Sequence, residues 1–243
     1  MARQPHLQIE TGDVRDVALL PGDPGRVDRI AAKCENAETV ARNREYEVVD
    51  ATYRGVPLTI ASTGIGSPSA AIAVEELARV GVETFVRVGT TGALQSDIDI
   101  GDVVVATGAA KNEGTTKRYE PVEFPATPDF AVTRALVDAA EANDEAVHVG
   151  PVATDDAFYA ESGTVVDEWE DAGVLAVEME AAAVFTLARR RGLAAGAICT
   201  VDGNLVEGTQ KGTEGEDELP EKARNNVERM IEVALEAVVA LAE

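Results

Sequence analysis

Three short apolar runs in this chain each end in a glycine-rich turn, and this arrangement limits the possible folds more than any other feature. The runs are residues 17–20, 57–62 and 84–88. The turns that follow them are Pro21-Gly22-Asp23-Pro24-Gly25, Thr63-Gly64-Ile65-Gly66 and Gly89-Thr90-Thr91-Gly92. Short strands that alternate with helical stretches are typical of one α/β sheet. Because ligands bind outside the carboxyl ends of strands in open α/β sheets, we expect these turns to line a ligand site.

The remaining sequence continues this alternation through a single domain, residues 1–243. Further strands are predicted at residues 102–107, 147–152, 174–177 and 195–201. One helix is predicted to begin at Arg26. A second is predicted to end at about Val80, with Pro68 near its first turn, and three more cover residues 129–142, 180–191 and 221–241. Residues 204–219 are polar and glycine-rich, which fits either a mobile lid or a solvated connection.

The charge of the chain excludes some classes of partner. It has 44 acidic and 21 basic side chains, a net charge of −23. Such a field repels nucleic acid and anionic membranes, so we expect neither as a partner. The acids are spread through the whole chain, which favours adaptation to a high-salt cytoplasm, where screening reduces self-repulsion. No apolar run is long enough to cross a bilayer and the first residues are not typical of a signal peptide, so a cytoplasmic location is predicted.

Several catalytic templates fail because the chain lacks the residues they need. Cys34 and Cys199 are too few for a disulfide framework or a zinc site, and His6 and His148 form no cluster for a metal. The chain has neither a nucleophile elbow nor a Walker A sequence. Gly64-Ile65-Gly66 also lacks the third glycine of a dinucleotide-binding turn.

Arginines beside the glycine-rich turns favour an anion site. Arg26 follows the first turn, Arg87 lies inside the third apolar run, and Arg44 lies between Asn43 and Glu45. A guanidinium in a core strand is costly unless it is paired, so a structural ion pair is one interpretation of Arg87. The other is an arginine clamp on phosphate, because the planar guanidinium matches phosphate geometry.

A second cluster, Val177-Glu178-Met179-Glu180, lies where a predicted strand meets a helix. A carboxylate at this junction is a natural acceptor for the two neighbouring hydroxyls of a ribose. Glu180 is equally compatible with a role at the positive end of the helix. Phe158 and Tyr159 are rare aromatic residues in this chain and suit either base stacking or core packing.

Together these motifs resemble the nucleoside phosphorylase family, and most closely its uridine phosphorylase branch. The resemblance runs over roughly residues 5–205 in the expected order. It implies a three-layer α/β/α domain around a mixed, twisted and partly barrel-like sheet. It also implies reversible phosphorolysis of a ribonucleoside to the free base and ribose 1-phosphate, with inorganic phosphate as co-substrate and no cofactor.

The resemblance also implies roles for individual residues. The phosphate ligands it implies are Gly22, Arg26, Arg44, Arg87, Gly89 and Thr90, and the ribose ligands are His6, Glu178, Met179 and Glu180. Arg44 and His6 would reach a neighbouring subunit's site, which implies a homo-oligomer, commonly a hexamer built as a trimer of dimers. Phe158 would pack on the base. Glu45, Ile65 and Ser69 match residues that bind a structural K⁺ at the dimer interface of some uridine phosphorylases.

The base pocket departs from the uridine phosphorylase pattern. That branch carries a glutamine and an arginine shortly after the Phe-Tyr pair, where this chain has Ala160-Glu161-Ser162, and a second arginine is replaced near Asp202-Gly203-Asn204. Guanine offers N–H donors that suit the carboxylate of Asp202 or Glu161, and acceptors that suit Asn204 or a protonated acid. We therefore predict a 6-oxopurine nucleoside, guanosine or inosine, as substrate, with Arg87 and Asp202 as the catalytic residues.

Three alternatives stay open on the sequence alone. The first is a uridine phosphorylase, because the scaffold is closest to that branch. The second is a hydrolytic nucleosidase, which would use water and would have little need for three arginines together. The third is a binding protein without catalytic activity.

Overall fold

The computed structural model describes residues 3–143, 145–160, 162–209 and 221–242, and within them nine strands and seven helices. The strands are β1 (Val17–Leu20), β2 (Glu35–Asn43), β3 (Tyr46–Tyr53), β4 (Val56–Ala61), β5 (Thr84–Ala93), β6 (Val103–Asn112), β7 (Val147–Asp155), β8 (Ala176–Glu178) and β9 (Ala194–Asn204). The helices are α1 (Pro24–Ala31), α2 (Ser67–Val80), α3 (Thr116–Tyr119), α4 (Phe130–Ala142), α5 (Gly163–Asp171), α6 (Ala181–Arg191) and α7 (Glu221–Ala242).

The strands form one mixed sheet that closes partly on itself. Its order is β2-β3-β4-β1-β5-β8-β7-β6-β9, and β9 pairs with β5 as well as with β6. Strands β5, β8, β7, β6 and β9 therefore form a closed ring, while β1, β4, β3 and β2 extend it as an open sheet. Within the ring, β5 runs parallel to β9 and antiparallel to β8. The predicted α/β fold with a mixed, partly barrel-like sheet is confirmed.

Two apolar clusters place the helices on opposite faces of the sheet. One cluster contains buried side chains of α2 and α6, and the other contains buried side chains of α1, α4 and α7. Along α7 the buried residues include Val227, Met230, Ile231, Ala234 and Val238, which confirms the predicted apolar face. The result is the predicted helix–sheet–helix layering. Among the described residues no helix is long and apolar enough to cross a membrane.

The structure corrects several predicted boundaries. Strand β5 does not end at Val88 but continues through Gly89-Thr90-Thr91-Gly92 to Ala93, because β9 pairs with it along its whole length and β8 pairs with its last residues. The hairpin of β2 and β3 was not predicted, since β2 is an edge strand with mostly exposed side chains and no apolar alternation. Helices α3 and α5 were also not predicted. Of the loop expected at 204–219, residues 210–219 lie outside the described residues.

Candidate active site

The sheet brings all four sequence motifs to one place. The turns after β1 and β4 are joined by two backbone bonds, in which Thr63 donates to the Pro21 carbonyl at 2.9 Å and Gly64 donates to the Gly22 carbonyl at 3.0 Å. The end of β5, which is the third motif, reaches the fourth motif, because Gly92 pairs with Val177 of β8. The glycine-rich turns and the Glu178-Met179-Glu180 segment therefore meet at one end of the sheet, as expected from the strand order.

Arg87 lies at the centre of this site, enclosed by two carboxylates. Its Nε is 2.7 Å from Glu178 Oε2 and its Nη2 is 2.5 Å from Glu180 Oε2. The Nε contact is ionic, since its geometry is too poor for a hydrogen bond. Burial alone would lower the pKa of Arg87, but the carboxylates of Glu180 and Glu178 outweigh it and raise that pKa above its ordinary value. Arg87 is therefore a firmly charged, fixed cation.

Gly89 is required by the path of the Arg87 side chain. A Cβ atom added to Gly89 would lie 2.9 Å from both Cζ and Nη2 of Arg87 and 3.1 Å from Cys199 Sγ. Those distances are too short for any side chain, so the guanidinium folds back over bare backbone. The sulfur below it is inert, because burial raises the pKa of Cys199 to about 12.

Arg26 is a second buried cation, and its charge is not balanced by the protein. Its Nη1 donates to the Val88 carbonyl at 3.1 Å, whereas its Nε is buried without a partner. No carboxylate of the described residues lies within ion-pair distance of its guanidinium, and only 7% of the residue is exposed. Burial, together with the nearby charge of Arg87, lowers the pKa of Arg26. A buried cation beside a second cation attracts an anion, which favours the predicted anion site here.

Both oxygens of the Glu178 carboxylate are bonded to the protein. Its Oε1 accepts a hydrogen bond from the Thr154 hydroxyl at 2.5 Å, and its Oε2 accepts from the backbone N–H groups of Glu180 and Ala181, each at 2.8 Å. Oε2 also faces Arg87. Oε1 keeps acceptor capacity beside the Thr154 hydroxyl, so a role of Glu178 at the ribose stays a prediction.

Glu180 and Met179 are held by the turn after β4. Glu180 Oε1 accepts a hydrogen bond from the Gly66 N–H at 2.6 Å, and Ser67 Oγ donates to the Met179 carbonyl at 3.2 Å. Gly66 has a φ of 87°, a conformation that favours glycine. Burial raises the pKa of Glu180 although Arg87 acts in the opposite direction. Glu180 thus contacts Arg87, and the role of both residues at the ribose stays a prediction.

The hydroxyl groups of the neighbouring residues Thr90 and Thr91 differ in their hydrogen-bond partners. Thr91 Oγ1 donates to the Val177 carbonyl at 2.6 Å and so ties β5 to β8. Within the described residues the Thr90 hydroxyl bonds to no protein group, which leaves it free for a ligand at the end of β5. This placement fits its predicted role as a phosphate ligand.

Asp202 occupies a β-bulge at the end of β9. Thr91 of β5 pairs with Val201 and the next residue, Gly92, pairs with Gly203, so Asp202 is the extra residue on its strand. Only 8% of it is exposed. Bulges of this kind redirect a side chain beside an active site.

Asn204 does not fit its predicted role in reading a base. Its Nδ2 donates to the carbonyls of Gln95 and Ile98, each at 3.0 Å, and its Oδ1 accepts from the N–H groups of Val206 and Glu207. The amide is therefore fully used in fixing the segment after β9. The other predicted base ligands are Phe158, which is half-buried and packs edge-on against Tyr159, and Glu161, which lies outside the described residues.

Arg44 and His6 lie near each other, and neither forms a hydrogen bond or ion pair with Arg26 or Arg87. Asn43 Nδ2 donates to the His6 carbonyl at 2.6 Å, and the His6 ring is 2.7 Å from Glu76. Arg44 is exposed at the tip of the β2–β3 hairpin with a φ of 56°. It lines a cavity of about 240 Å³ together with Pro24 and Gly25 at the start of α1. Neither residue contacts the arginine pair of its own chain.

The three predicted potassium ligands lie together. Ser69 Oγ is 3.1 Å from Glu45 Oε1, and both side chains border the turn that carries Ile65, as a Cβ on Gly64 would lie 2.7 Å from each of them. One carboxylate with neutral oxygens suits a hard monovalent cation. Among the described residues no group of three or more His, Cys, Asp or Glu side chains is arranged for a metal. His148 is paired with Asp102 at 2.9 Å, as a structural histidine would be.

Sequence reasoning missed two hydroxyl groups of this site, those of Ser67 and Thr154. Ser67 holds the Met179 carbonyl and Thr154 holds the Glu178 carboxylate. Ser67 was within reach of the motif argument, since it directly follows a glycine-rich turn. For Thr154 the only signal in the sequence is its position at the carboxyl end of a strand.

Comparisons with known proteins show the family of this chain. A family model described as the phosphorylase superfamily matches residues 16–240. A guanosine phosphorylase of Halorubrum lacusprofundi is 67% identical over 99% of this chain and all of that protein. A uridine phosphorylase of Thermococcus kodakarensis is 44% identical over 88% of this chain and 82% of that protein. A uridine phosphorylase structure from Vibrio fischeri superposes with a TM-score of 0.90 at 34% identity, over 99% of this chain and 98% of that one.

The unequal pairing of the two buried arginines gives a test. Arg87→Met leaves two buried carboxylates without their cation, so we expect a loss of about 3–5 kcal/mol in the free energy of unfolding. Arg26→Met removes an unbalanced buried cation, so without phosphate we expect no loss of stability. Phosphate should raise the thermal midpoint of the native protein, and this rise should vanish in Arg26→Met. Thermal unfolding in molar KCl with and without phosphate measures both effects. An Arg26→Met protein that is still stabilised by phosphate would contradict this assignment.

Proposed function

The chain belongs to the phosphorylase superfamily, and from this premise we propose that it is a nucleoside phosphorylase whose preferred substrates are guanosine and inosine. The observation that carries the proposal is Arg26, a buried cation without a carboxylate partner, beside the fixed cation Arg87. A hydrolase, which uses neutral water as nucleophile, has no need of such a site. Phosphorolysis needs an anionic nucleophile held and oriented at the sugar, which two guanidiniums can do.

The chemistry follows from the positions of the groups. A phosphate oxygen held by Arg26, Arg87 and the Thr90 hydroxyl attacks C1′ of the ribose while the bond from C1′ to the base nitrogen breaks. Positive charge develops on the sugar ring in the transition state, and the adjacent phosphate and the Glu180 carboxylate stabilise it. Glu180 and the Met179 segment orient the ribose hydroxyls. The products are the free base and ribose 1-phosphate, with no covalent intermediate on the enzyme.

We assign protonation of the departing base to Asp202. The electron pair of the broken bond goes to the base, and a proton delivered to the purine ring makes the base a better leaving group. The bulge places this buried carboxyl at the end of β9, in the ring strand that pairs with β5. The choice of a 6-oxopurine is supported by Asp202 and by the high identity to a guanosine phosphorylase. Uridine is the second candidate, because other relatives at 36–44% identity are uridine phosphorylases.

We also propose that the active unit is a homo-oligomer, with Arg44 and His6 completing the site of a neighbouring subunit. The support is their position, since both are tied to the same hairpin tip and neither reaches the arginine pair of its own chain. A dimer is the minimum, and a trimer of dimers is the arrangement implied by the family resemblance. The oxygens of Glu45, Ser69 and the Ile65 backbone would hold K⁺ at such an interface, where its charge would offset opposing carboxylates.

The proposed working environment is a salt-rich cytoplasm. The support is the net charge of −23 spread along the chain. At low salt the acidic side chains repel one another. At molar KCl the Debye length is about 3 Å, so this repulsion is largely screened. Activity is therefore best assayed at molar KCl.

The substrate assignment is tested by base release from guanosine, inosine, adenosine and uridine in molar KCl, with and without phosphate. We expect release from guanosine and inosine only when phosphate is present. Asp202→Asn should lower kcat/KM for guanosine by about 100-fold or more, because the proton donor is lost. Asp97→Asn, at an exposed position nearby, serves as the control and should leave it unchanged. Release from uridine alone would overturn the base assignment, and release without phosphate would indicate a nucleosidase.

The shared site is tested by mixing two inactive variants. Arg26→Ala and Arg44→Ala should each be nearly inactive as separate oligomers. In a mixed dimer, the subunit that carries Arg44→Ala keeps its own Arg26 and receives an intact Arg44 from the partner subunit. One of the two sites is then complete, so co-expression should restore up to about half of the native activity. If Arg44 acted within its own chain, no combination of the two variants would recover activity.

A further inference from the structure

Thr154, at the carboxyl end of β7, is a buried hydroxyl that the proposed chemistry does not use. It is fully buried and lies directly beside Glu178, with which it pairs in the parallel register of β7 and β8. Its hydroxyl donates to Glu178 Oε1 at 2.5 Å and accepts from the Ala182 N–H at 2.9 Å. The side chain therefore links β7, β8 and the first turn of α6 through a single oxygen atom.

We propose that Thr154 is a positioning residue for phosphate, acting through Glu178 on Arg87; the inference rests on the proposed phosphorylase function. The Glu178 carboxylate lies between the Thr154 hydroxyl and the Arg87 guanidinium. Thr154 fixes its Oε1, and this orientation directs Oε2 at Arg87 Nε, 2.7 Å away. A carboxylate group rotates readily about its last side-chain bond unless both oxygens are held. The Thr154 hydroxyl is the only donor to Oε1 among the described residues.

Loss of this hydroxyl should shift Arg87 rather than unfold the site. Without a donor, the buried Oε1 loses the contact that fixes the rotation of the carboxylate. Oε2 is still held by the N–H groups of Glu180 and Ala181, but it no longer keeps one position against Arg87 Nε. Arg87 is then held by Glu180 alone. The pair Arg26 and Arg87 loses the fixed spacing on which orientation of a phosphate depends.

The ribose groups are held by separate contacts. The Glu180 carboxylate is fixed by the Gly66 N–H at 2.6 Å, and the Met179 carbonyl by Ser67 Oγ at 3.2 Å. Neither contact passes through Thr154. The inference therefore predicts a separation, in which phosphate affinity falls and nucleoside affinity changes little.

Thr91 provides a matched control for this separation. It is a buried threonine on the strand next to β8, and its hydroxyl also bonds to β8, at the Val177 carbonyl. It makes no contact with Glu178. Thr91→Val therefore removes a comparable hydrogen bond to the same strand without touching the carboxylate.

The test compares Thr154→Val, Thr154→Ser and Thr91→Val by titration calorimetry with inorganic phosphate in molar KCl, and by KM for guanosine at saturating phosphate. Valine keeps the shape without the hydroxyl, and serine keeps the hydroxyl. We expect phosphate binding about tenfold weaker or worse in Thr154→Val, and near the native value in Thr154→Ser and Thr91→Val. The guanosine KM of Thr154→Val should stay within about threefold.

Three results would each overturn the inference while leaving the phosphorylase intact. The first is equal phosphate affinity in Thr154→Val and Thr154→Ser. The second is an equal loss of phosphate and nucleoside affinity in Thr154→Val, and the third is a loss of phosphate affinity in Thr91→Val equal to that in Thr154→Val. A native protein that binds no phosphate and releases base without it would instead reject the proposed function, and the inference with it. Calorimetry reports on phosphate binding even where turnover is too slow to measure.

Discussion

Arg87 held between Glu178 and Glu180 is the interaction on which the site depends. A guanidinium buried in a core strand is tolerated only because two carboxylates from another strand end meet it, and because Gly89 leaves room for it to fold back. Both carboxylates contact Arg87, and no described carboxylate lies within ion-pair distance of Arg26. A phosphate dianion carries one negative charge more than Arg26 can match. This is the physical reason to expect a further cation at the site, and Arg44 of a neighbouring subunit is the one that we propose.

The closed ring of strands explains why this arrangement is rigid. Arg87 lies on β5, Glu178 on β8, Thr154 on β7 and the bulged Asp202 on β9, and these strands are hydrogen-bonded to one another around the ring. Sites built on strands hold catalytic groups more tightly than sites built on loops. The bulge at Asp202 exists because β9 has one residue more than β5 between two paired positions. The same closure that fixes the arginine thus fixes the acid that we assign to the departing base.

The fold was largely predictable from the sequence where burial is one-sided and regular. The apolar runs at residues 17–20 and 84–88 lie in strands, the last helix buries its predicted face, and the family resemblance is confirmed. Prediction failed at β2, whose exposed edge carries no apolar alternation, and at the end of β5, where glycines that usually end a strand continue it. That continuation depends on pairing with β9, which is remote in sequence.

The sequence motifs predicted which segments meet at the site but not the partners of each side chain. Arg87 is paired with two carboxylates while Arg26 has none within ion-pair distance. Glu178 accepts bonds from Thr154 and two backbone N–H groups, while Glu180 accepts one from Gly66. Asn204 looked suited to a base, yet its amide is used by four backbone groups brought near by the turn after β9. Such differences arise from contacts between remote segments, which composition and spacing do not contain.

The central claim is that the buried arginine pair delivers phosphate to the sugar, and phosphorus NMR of the native protein with guanosine and inorganic phosphate in molar KCl tests it most directly. The claim predicts that the inorganic phosphate signal falls as a sugar phosphate ester signal appears, in step with released guanine. Release of guanine with an unchanged phosphate signal and free ribose as product would contradict it.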